Sequence, residues 1–270
     1  MNEQVQNLLK IPQHIQRSPE WFAQRNGAIT ASDLPTVLKE NDYKSPWTLL
    51  LDKCDSNPKP FVGNEATRWG TYYEDTAIEK YSELRGKEVL AFGLLIHPEY
   101  SWLGGSPDGI TTDGILIEVK CPFKRKIVMG EIPHHYLAQV LLNLEICNLE
   151  IAHFIEYIPG KSDTDFQMNI VEIMRDREWF SSKLPEMKEF WDSVVKYREI
   201  GIDKHPKYAA YKKRSDTAAK KKENSTGGIT LNLLEPKTNT SLFIDLDSDS
   251  ESEPEFVSTV PLFIDIDESV

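Results

Sequence analysis

The hydrophobic pattern changes period several times between residues 18 and 200. Trp69, Tyr73, Ala77, Tyr81 and Leu84 recur every three or four residues, so a helix is expected over about 65–84, with Gly86 as its stop. Phe180, Leu184, Met187, Trp191 and Val194 step in the same way and predict a closing helix over 175–199, with Pro185 either kinking it or marking its true start. A third helix is expected from Pro133 to about Cys147. Ser18-Pro19-Glu20-Trp21 reads as a helix start, with Ser18 as N-cap, Pro19 in the first turn and Gly27 as the stop; another helix is expected near Thr30-Ala31-Ser32-Asp33. Strands are predicted near 89–97, 102–105, 114–120, 150–158 and 166–174. In the 114–120 strand, side chains alternate between two faces, with Ile115, Ile117 and Val119 on one and Leu116, Glu118 and Lys120 on the other.

This order of helices, strands, one helix, two more strands and a closing helix predicts an α/β or α+β sheet with helices packed on it. Four segments follow from the pattern and the composition. Residues 1–17 read as a polar leader and 18–201 as the folded domain. Residues 202–240 read as a basic and polar linker, and 241–270 as an acidic, disordered tail. The tail carries one repeat, Leu242-Phe243-Ile244-Asp245-Leu246-Asp247 and Leu262-Phe263-Ile264-Asp265-Ile266-Asp267.

Composition narrows the class. The 270 residues are 40% hydrophobic, enough for a sizeable core. The apolar runs fall short of the roughly 20 residues a membrane span needs, and the start of the chain does not read as a signal peptide. Cys54, Cys121 and Cys147 are widely spaced and form no CxxC pair, which argues against zinc or iron–sulfur ligation and for a reducing, intracellular setting. The net charge of −12 is unpromising for a nucleic-acid binder, but nine acidic groups fall in 241–270, where there is no Lys or Arg. The rest of the chain is only mildly acidic and can present a local basic groove.

The densest chemistry lies in Gly105-Ser106-Pro107-Asp108-Gly109 and Ile117-Glu118-Val119-Lys120-Cys121-Pro122. Asp108 sits at a Pro/Gly turn, and a hairpin would bring it beside Glu118, which shares a strand face with Lys120. Two carboxylates and a backbone carbonyl make a hard oxygen set suited to Mg²⁺ or Mn²⁺. Lys120 would orient or deprotonate a water, or stabilise phosphate charge. The competing reading, a capped turn and a solvated strand face, is the usual fate of such a spacing; the apolar flanks of Glu-Val-Lys argue against it. No P-loop, G-x-G-x-x-G or G-x-S-x-G is present. His134-His135 would diverge by about 100° on a helix and so make a poor metal pair.

These stretches resemble the lambda-exonuclease-like, YqaJ-type viral recombinase group of the PD-(D/E)XK nucleases. The likeness runs over about 18–200. It also includes Trp21-Phe22-Ala23-Gln24-Arg25, Ile29-Thr30-Ala31-Ser32, Arg68-Trp69-Gly70 through Glu74, His97-Pro98-Glu99 through Trp102-Leu103-Gly104, and Tyr136-Leu137-Ala138-Gln139-Val140. The resemblance implies a restriction-endonuclease-like central mixed sheet flanked by helices. It implies metal ligation by Asp108, Glu118 and the Val119 carbonyl, and catalysis by Lys120 with Glu74 and Gln139 helping to order the site. Arg25 and Ser32 would form a pocket for a 5′ phosphate, a role that suits a guanidinium and a helix N-terminus. Lys124 and Arg125 follow the active strand and would line the DNA path, although a solvated loop explains them equally well.

The resulting expectation is a Mg²⁺-dependent, 5′→3′ exonuclease on linear double-stranded DNA with a 5′-phosphate preference, acting in viral recombination, repair or replication, in the host cytoplasm or nucleus. The alternatives are a structure-selective endonuclease of the same superfamily and a non-catalytic DNA-binding scaffold. Expected partners are duplex DNA, a single-strand annealing or binding protein, further copies of the chain in a trimer implied by the resemblance, and a SUMO-type or other docking partner for the acidic tail; no membrane is expected.

Overall fold

The computed structural model describes residues 1–55, 63–215 and 217. Asn2 caps α1 (Glu3–Leu9) by accepting from the Gln4 and Val5 amides, and α1 buries Val5 and Leu8 in the main core. α2 (Pro19–Asn26) begins as its sequence predicts, with the Ser18 hydroxyl accepting from the Trp21 amide at 3.2 Å. After β1 (Ile29–Thr30) a single 3₁₀ turn leads into the short α3 (Leu34–Val37), then α4 (Pro46–Cys54). α5 (Glu65–Arg85) ends at Gly86, whose φ of 61° is the left-handed conformation that glycine adopts without a steric penalty.

The strands β2 (Val89–Leu90), β3 (Leu95–Ile96), β4 (Leu103–Gly105), β5 (Gly109–Thr111) and β6 (Ile115–Lys120) follow, then α6 (His134–Cys147), β7 (Ile151–Ser162), β8 (Asp165–Met174) and α7 (Arg177–Ile200). One sheet has the order β2-β5-β6-β7-β8, with β6 and β7 parallel and the other pairs antiparallel. A smaller sheet has the order β1-β4-β3. The α6 segment is the crossover that joins the parallel pair, as parallel strands require.

β6 is buried on both faces. Leu116 packs with α6 and Phe154 in the main core. Ile117 and Val119 pack with Ala77 and Tyr81 of α5 and with Ile155 and Tyr157 of β7. The sheet is therefore a middle layer between α5 and α6, the mixed architecture expected from the sequence.

Several expectations are corrected. Residues 1–17 are not a separate leader: Val5 is fully buried, the Asn2 amide donates to the Thr112 carbonyl at 2.7 Å, and Gln4 donates to the Cys147 carbonyl at 2.9 Å. The α1 helix has only two core positions, too few for a visible period. The predicted 89–97 strand is two short strands in different sheets, broken around Gly93, where a Cβ would lie 2.4 Å from the His14 carbonyl oxygen. α7 starts at Arg177 under an Asp176 cap and runs through Pro185. Helical turns extend past 201 to 215, into the stretch read as linker. Residues 218–240 and the acidic tail with its two repeats lie outside the described residues. Among the described residues no helix is long and apolar enough to cross a membrane.

Candidate active site

The turn at Ser106-Pro107-Asp108 is joined to β6 by two hydrogen bonds. The Asp108 amide donates to the Ile117 carbonyl at 3.1 Å, and the Asp108 carboxylate accepts from the Val119 amide at 2.6 Å. This pairing follows from the β5–β6 register, which sets Gly109 opposite Ile117. Asp108 is thereby fixed beside the strand that carries Glu118, Val119 and Lys120, as the spacing predicts.

Glu118 is fully buried. A buried carboxylate needs partners, and it has three. Lys120 Nζ and Gln139 Nε2 both donate to Oε1, and Asn143 Nδ2 donates to Oε2 at 3.1 Å. Gln139 and Asn143 are one helical turn apart on α6, so one face of that helix grips the carboxylate. Gly105 on β4 makes room for this: a Cβ there would lie 2.1 Å from Asn143 Oδ1. Asn143 was not singled out from the sequence; the signal was a second amide four residues after Gln139 in a largely apolar helix.

The electrostatics point to a carboxylate cluster. Burial, reinforced by the charge of Asp108, pushes Glu118 up to about 7 despite Lys120. Burial and Asp108 push Glu74 up to about 7 as well. Asp108 is raised by burial, with Lys120 and the Val119 amide opposing. Burial disfavours the Lys120 ammonium, but Glu118 and Asp108 outweigh it and hold that charge more firmly than usual. Lys120 Nζ also lies 5.3 Å from the centre of the Tyr136 ring, a cation–π distance. Glu74 on α5 accepts from Arg17 Nη2 at 3.2 Å.

The groups that could hold a cation here, the carboxylates of Asp108, Glu118 and Glu74 and the Val119 carbonyl, are all oxygen donors. Three carboxylates crowd each other's charge, a field that a hard divalent ion would relieve. Among the described residues, no group of three or more His, Cys, Asp and Glu is already drawn close enough to cage an ion. The ammonium of Lys120 and the amide of Gln139 hold Glu118 Oε1 instead.

A cleft of about 520 Å³ opens over Asp108, Glu74, Val119 and Lys120. Its outer wall carries Lys124, Arg125, His135 and Tyr136. The two basic residues differ. Arg125 forms a 2.5 Å ion pair with Glu156, a fully buried carboxylate that Asn169 also donates to at 3.0 Å. Lys124 sits over the Phe123 ring at 5.3 Å.

Arg25 and Ser32 also meet. Arg25 Nη2 donates to Ser32 Oγ at 2.7 Å and to Thr30 Oγ1 at 3.3 Å, and its guanidinium lies 4.4 Å from the centre of the Trp21 ring. Below them the buried Lys53 binds Asp33 at 2.8 Å and donates to the Arg25 and Ala28 carbonyls at 2.8 and 2.7 Å. Burial works to raise Asp33, but Lys53, Thr30 and Arg25 together hold it below the usual carboxylate range. The Trp21 indole donates to Ser106 Oγ at 3.1 Å, which connects this cluster to the Asp108 turn. Sequence reasoning gave Lys53 and Ser106 no role. Nothing in the sequence marked Lys53 as buried; Ser106 stood two residues before Asp108 in a motif read mainly for its carboxylate.

Fold and site together define the class: a lambda-exonuclease-like nuclease architecture of the PD-(D/E)XK type. Residues 20–150 match the YqaJ-like viral recombinase domain. The structure is similar to that of LHK-Exo, an alkaline exonuclease from Laribacter hongkongensis, in its complex with dAMP; the TM-score is 0.61 with 26% identity, over 72% of this chain and 99% of that one. An uncharacterized protein of Acanthamoeba polyphaga mimivirus is 35% identical over 172 residues, 57% of this chain and 31% of that protein. The uncharacterized protein YqaJ of Bacillus subtilis is 29% identical over 183 residues, 65% of this chain and 56% of that protein. The chain thus spans about a third to about half of the length of these curated relatives.

Proposed function

We propose that this protein is a divalent-cation-dependent exonuclease that hydrolyses linear double-stranded DNA 5′→3′ from a 5′-phosphorylated end. The observation that carries the reading is the convergence of Asp108 and Lys120 at the floor of one cleft, with Lys120 bonded to the buried Glu118 behind it. The likeness to an alkaline exonuclease supports it.

Asp108, Glu118 and the Val119 carbonyl would hold Mg²⁺ or Mn²⁺, with Glu74 reaching the ion directly or through water. A bound ion of this kind lowers the pKa of a water and neutralises charge on the phosphate. Lys120 keeps its proton and so acts first as a fixed positive charge beside the reacting phosphate. Gln139 and Asn143 orient Glu118. Arg25 and Ser32 present donors that fit a terminal phosphate, with Trp21 and Lys53 holding them in place.

The test is digestion of three DNAs by the full chain in Mg²⁺. A linear duplex with 5′-phosphate ends should be degraded fastest, a 5′-hydroxyl duplex more slowly, and a covalently closed circle not at all. Cutting of the closed circle would establish an endonuclease instead.

A further inference from the structure

A second cleft, about 570 Å³, meets the first at Glu74 and Asp108. One wall is the segment from Gln13 to Arg17. That segment is pinned: Gln13 Oε1 accepts from the Gly93 amide at 2.6 Å, and Gln16 Nε2 donates to the Phe92 carbonyl at 2.9 Å. The close approach requires that residue 93 have no side chain. The fixed backbone ends at Arg17 with φ 68°, a left-handed conformation that a non-glycine residue rarely holds. Strain of this kind is retained where the surroundings enforce it, often next to a working site.

The conformation directs Arg17 at the carboxylate cluster. Its guanidinium makes one contact with Glu74 at 3.2 Å and is about half exposed, 53% of its side-chain surface. Lys124 on the opposite wall has only the Phe123 ring beside it, but three other cations around the site are more firmly committed. Lys120 is held by Glu118, Arg125 by the buried Glu156, and Arg25 by Ser32 and Thr30. An exposed single-contact ion pair is a weak one, and a guanidinium has five N–H donors. A divalent ion drawing on Glu74 would repel this group and release it into the cleft that it lines.

We propose that Arg17 is a DNA-binding residue whose guanidinium exchanges Glu74 for a backbone phosphate of the strand lying in this second cleft. The proposal rests on the nuclease reading above and adds a phosphate contact on the far side of the metal carboxylates from Lys124.

The experiment measures binding of a 5′-phosphorylated duplex by fluorescence anisotropy, in Mg²⁺ and over a series of salt concentrations. The full chain carries Lys120→Ala so that the DNA is not cut. Arg17→Gly is the informative variant, because glycine accepts the local backbone without strain and folding is not put at risk. It should weaken binding about threefold to tenfold and reduce the slope of log Kd against log salt by about 0.9, the value for one lost phosphate contact. Arg17→Lys should keep that slope. Equal affinity and slope for Arg17→Gly and its parent would overturn the proposal and leave the nuclease reading standing. No DNA binding by the parent, or by the unmutated chain, would overturn the nuclease reading and this proposal with it.

Discussion

The carboxylate of Asp108 accepts a 2.6 Å hydrogen bond from the amide of Val119, the residue between Glu118 and Lys120. One bond thus ties a turn carboxylate to β6 between Glu118 and Lys120. It sets the separation of the two acids by backbone geometry rather than by side-chain packing. Asp108→Asn keeps an acceptor for that amide but removes the charge. The variant should fold with an unchanged melting temperature or a higher one, since a buried charge is lost. Mg²⁺ affinity, read by calorimetry, should fall by more than tenfold.

Asn143 should matter almost as much as its distance from solvent suggests it should not. Its route to the chemistry is the hydrogen bond to Glu118. Partners that orient a metal carboxylate typically contribute about 10–100-fold in affinity or activity. Asn143→Ala should fall in that range, with the loss in kcat larger than any change in DNA affinity. Wild-type turnover in this variant would show that Glu118 needs no such support.

The Lys53–Asp33 pair is a structural prediction. Removing one partner of a buried pair leaves the other charge uncompensated, at a cost of about 3–5 kcal/mol. Lys53→Met should therefore be destabilised by about that much in urea denaturation. Arg25 should lose its seat at the same time, so discrimination between 5′-phosphate and 5′-hydroxyl ends should shrink in the fraction that still folds.

The raised carboxylates make stability depend on pH in an uncommon direction. Glu118 and Glu74 titrate at about 7 in the folded chain, against 4.5 for an ordinary glutamate. The folded state then binds protons that the unfolded state has released. Their contribution is fully present below about 4.5 and is lost as pH rises through about 7. His97, His135 and His153 are drawn down by burial and act in the opposite sense. The clean comparison is therefore Glu118→Gln against wild type, both free of metal. The variant should gain stability relative to wild type between pH 5 and pH 8, by at most about 1.4 kcal/mol per pH unit for one proton. A constant difference across that range would contradict the assignment.

Much of this was legible in the sequence because strong periods leave little choice. The α5 stripe of Trp69, Tyr73, Ala77 and Tyr81 and the alternation in β6 both specify burial, and the structure packs them in the core; Leu84, expected on the same stripe, is instead exposed in the last turn of α5, beyond the sheet contact. The convergence of Asp108 with Glu118 and Lys120 was legible because a Pro/Gly turn followed by a strand makes a hairpin. Short elements were not. β1 and β2 have two residues each and β5 three, too few for a period, and their pairing is set by contacts distant in sequence. α1 was hidden by its polar surface; Leu8→Ala, which should cost about 2–5 kcal/mol as a buried truncation, would show by urea denaturation how far residues 1–17 belong to the fold. Lys53, Ser106, Asn143 and Arg17 were missed because their roles depend on a partner far away in the chain rather than on any local motif.

The central claim is that Asp108, Glu118 and Lys120 form one hydrolytic centre. Its most direct test is the initial rate of nucleotide release from a 5′-phosphorylated linear duplex in Mg²⁺ by wild type and by Lys120→Ala, with circular dichroism confirming equal folding. The account predicts steady release by wild type and loss of at least a hundredfold in the variant, about 2.7 kcal/mol in the barrier. Equal rates for the two proteins, or release by wild type that persists undiminished in excess EDTA, would contradict it.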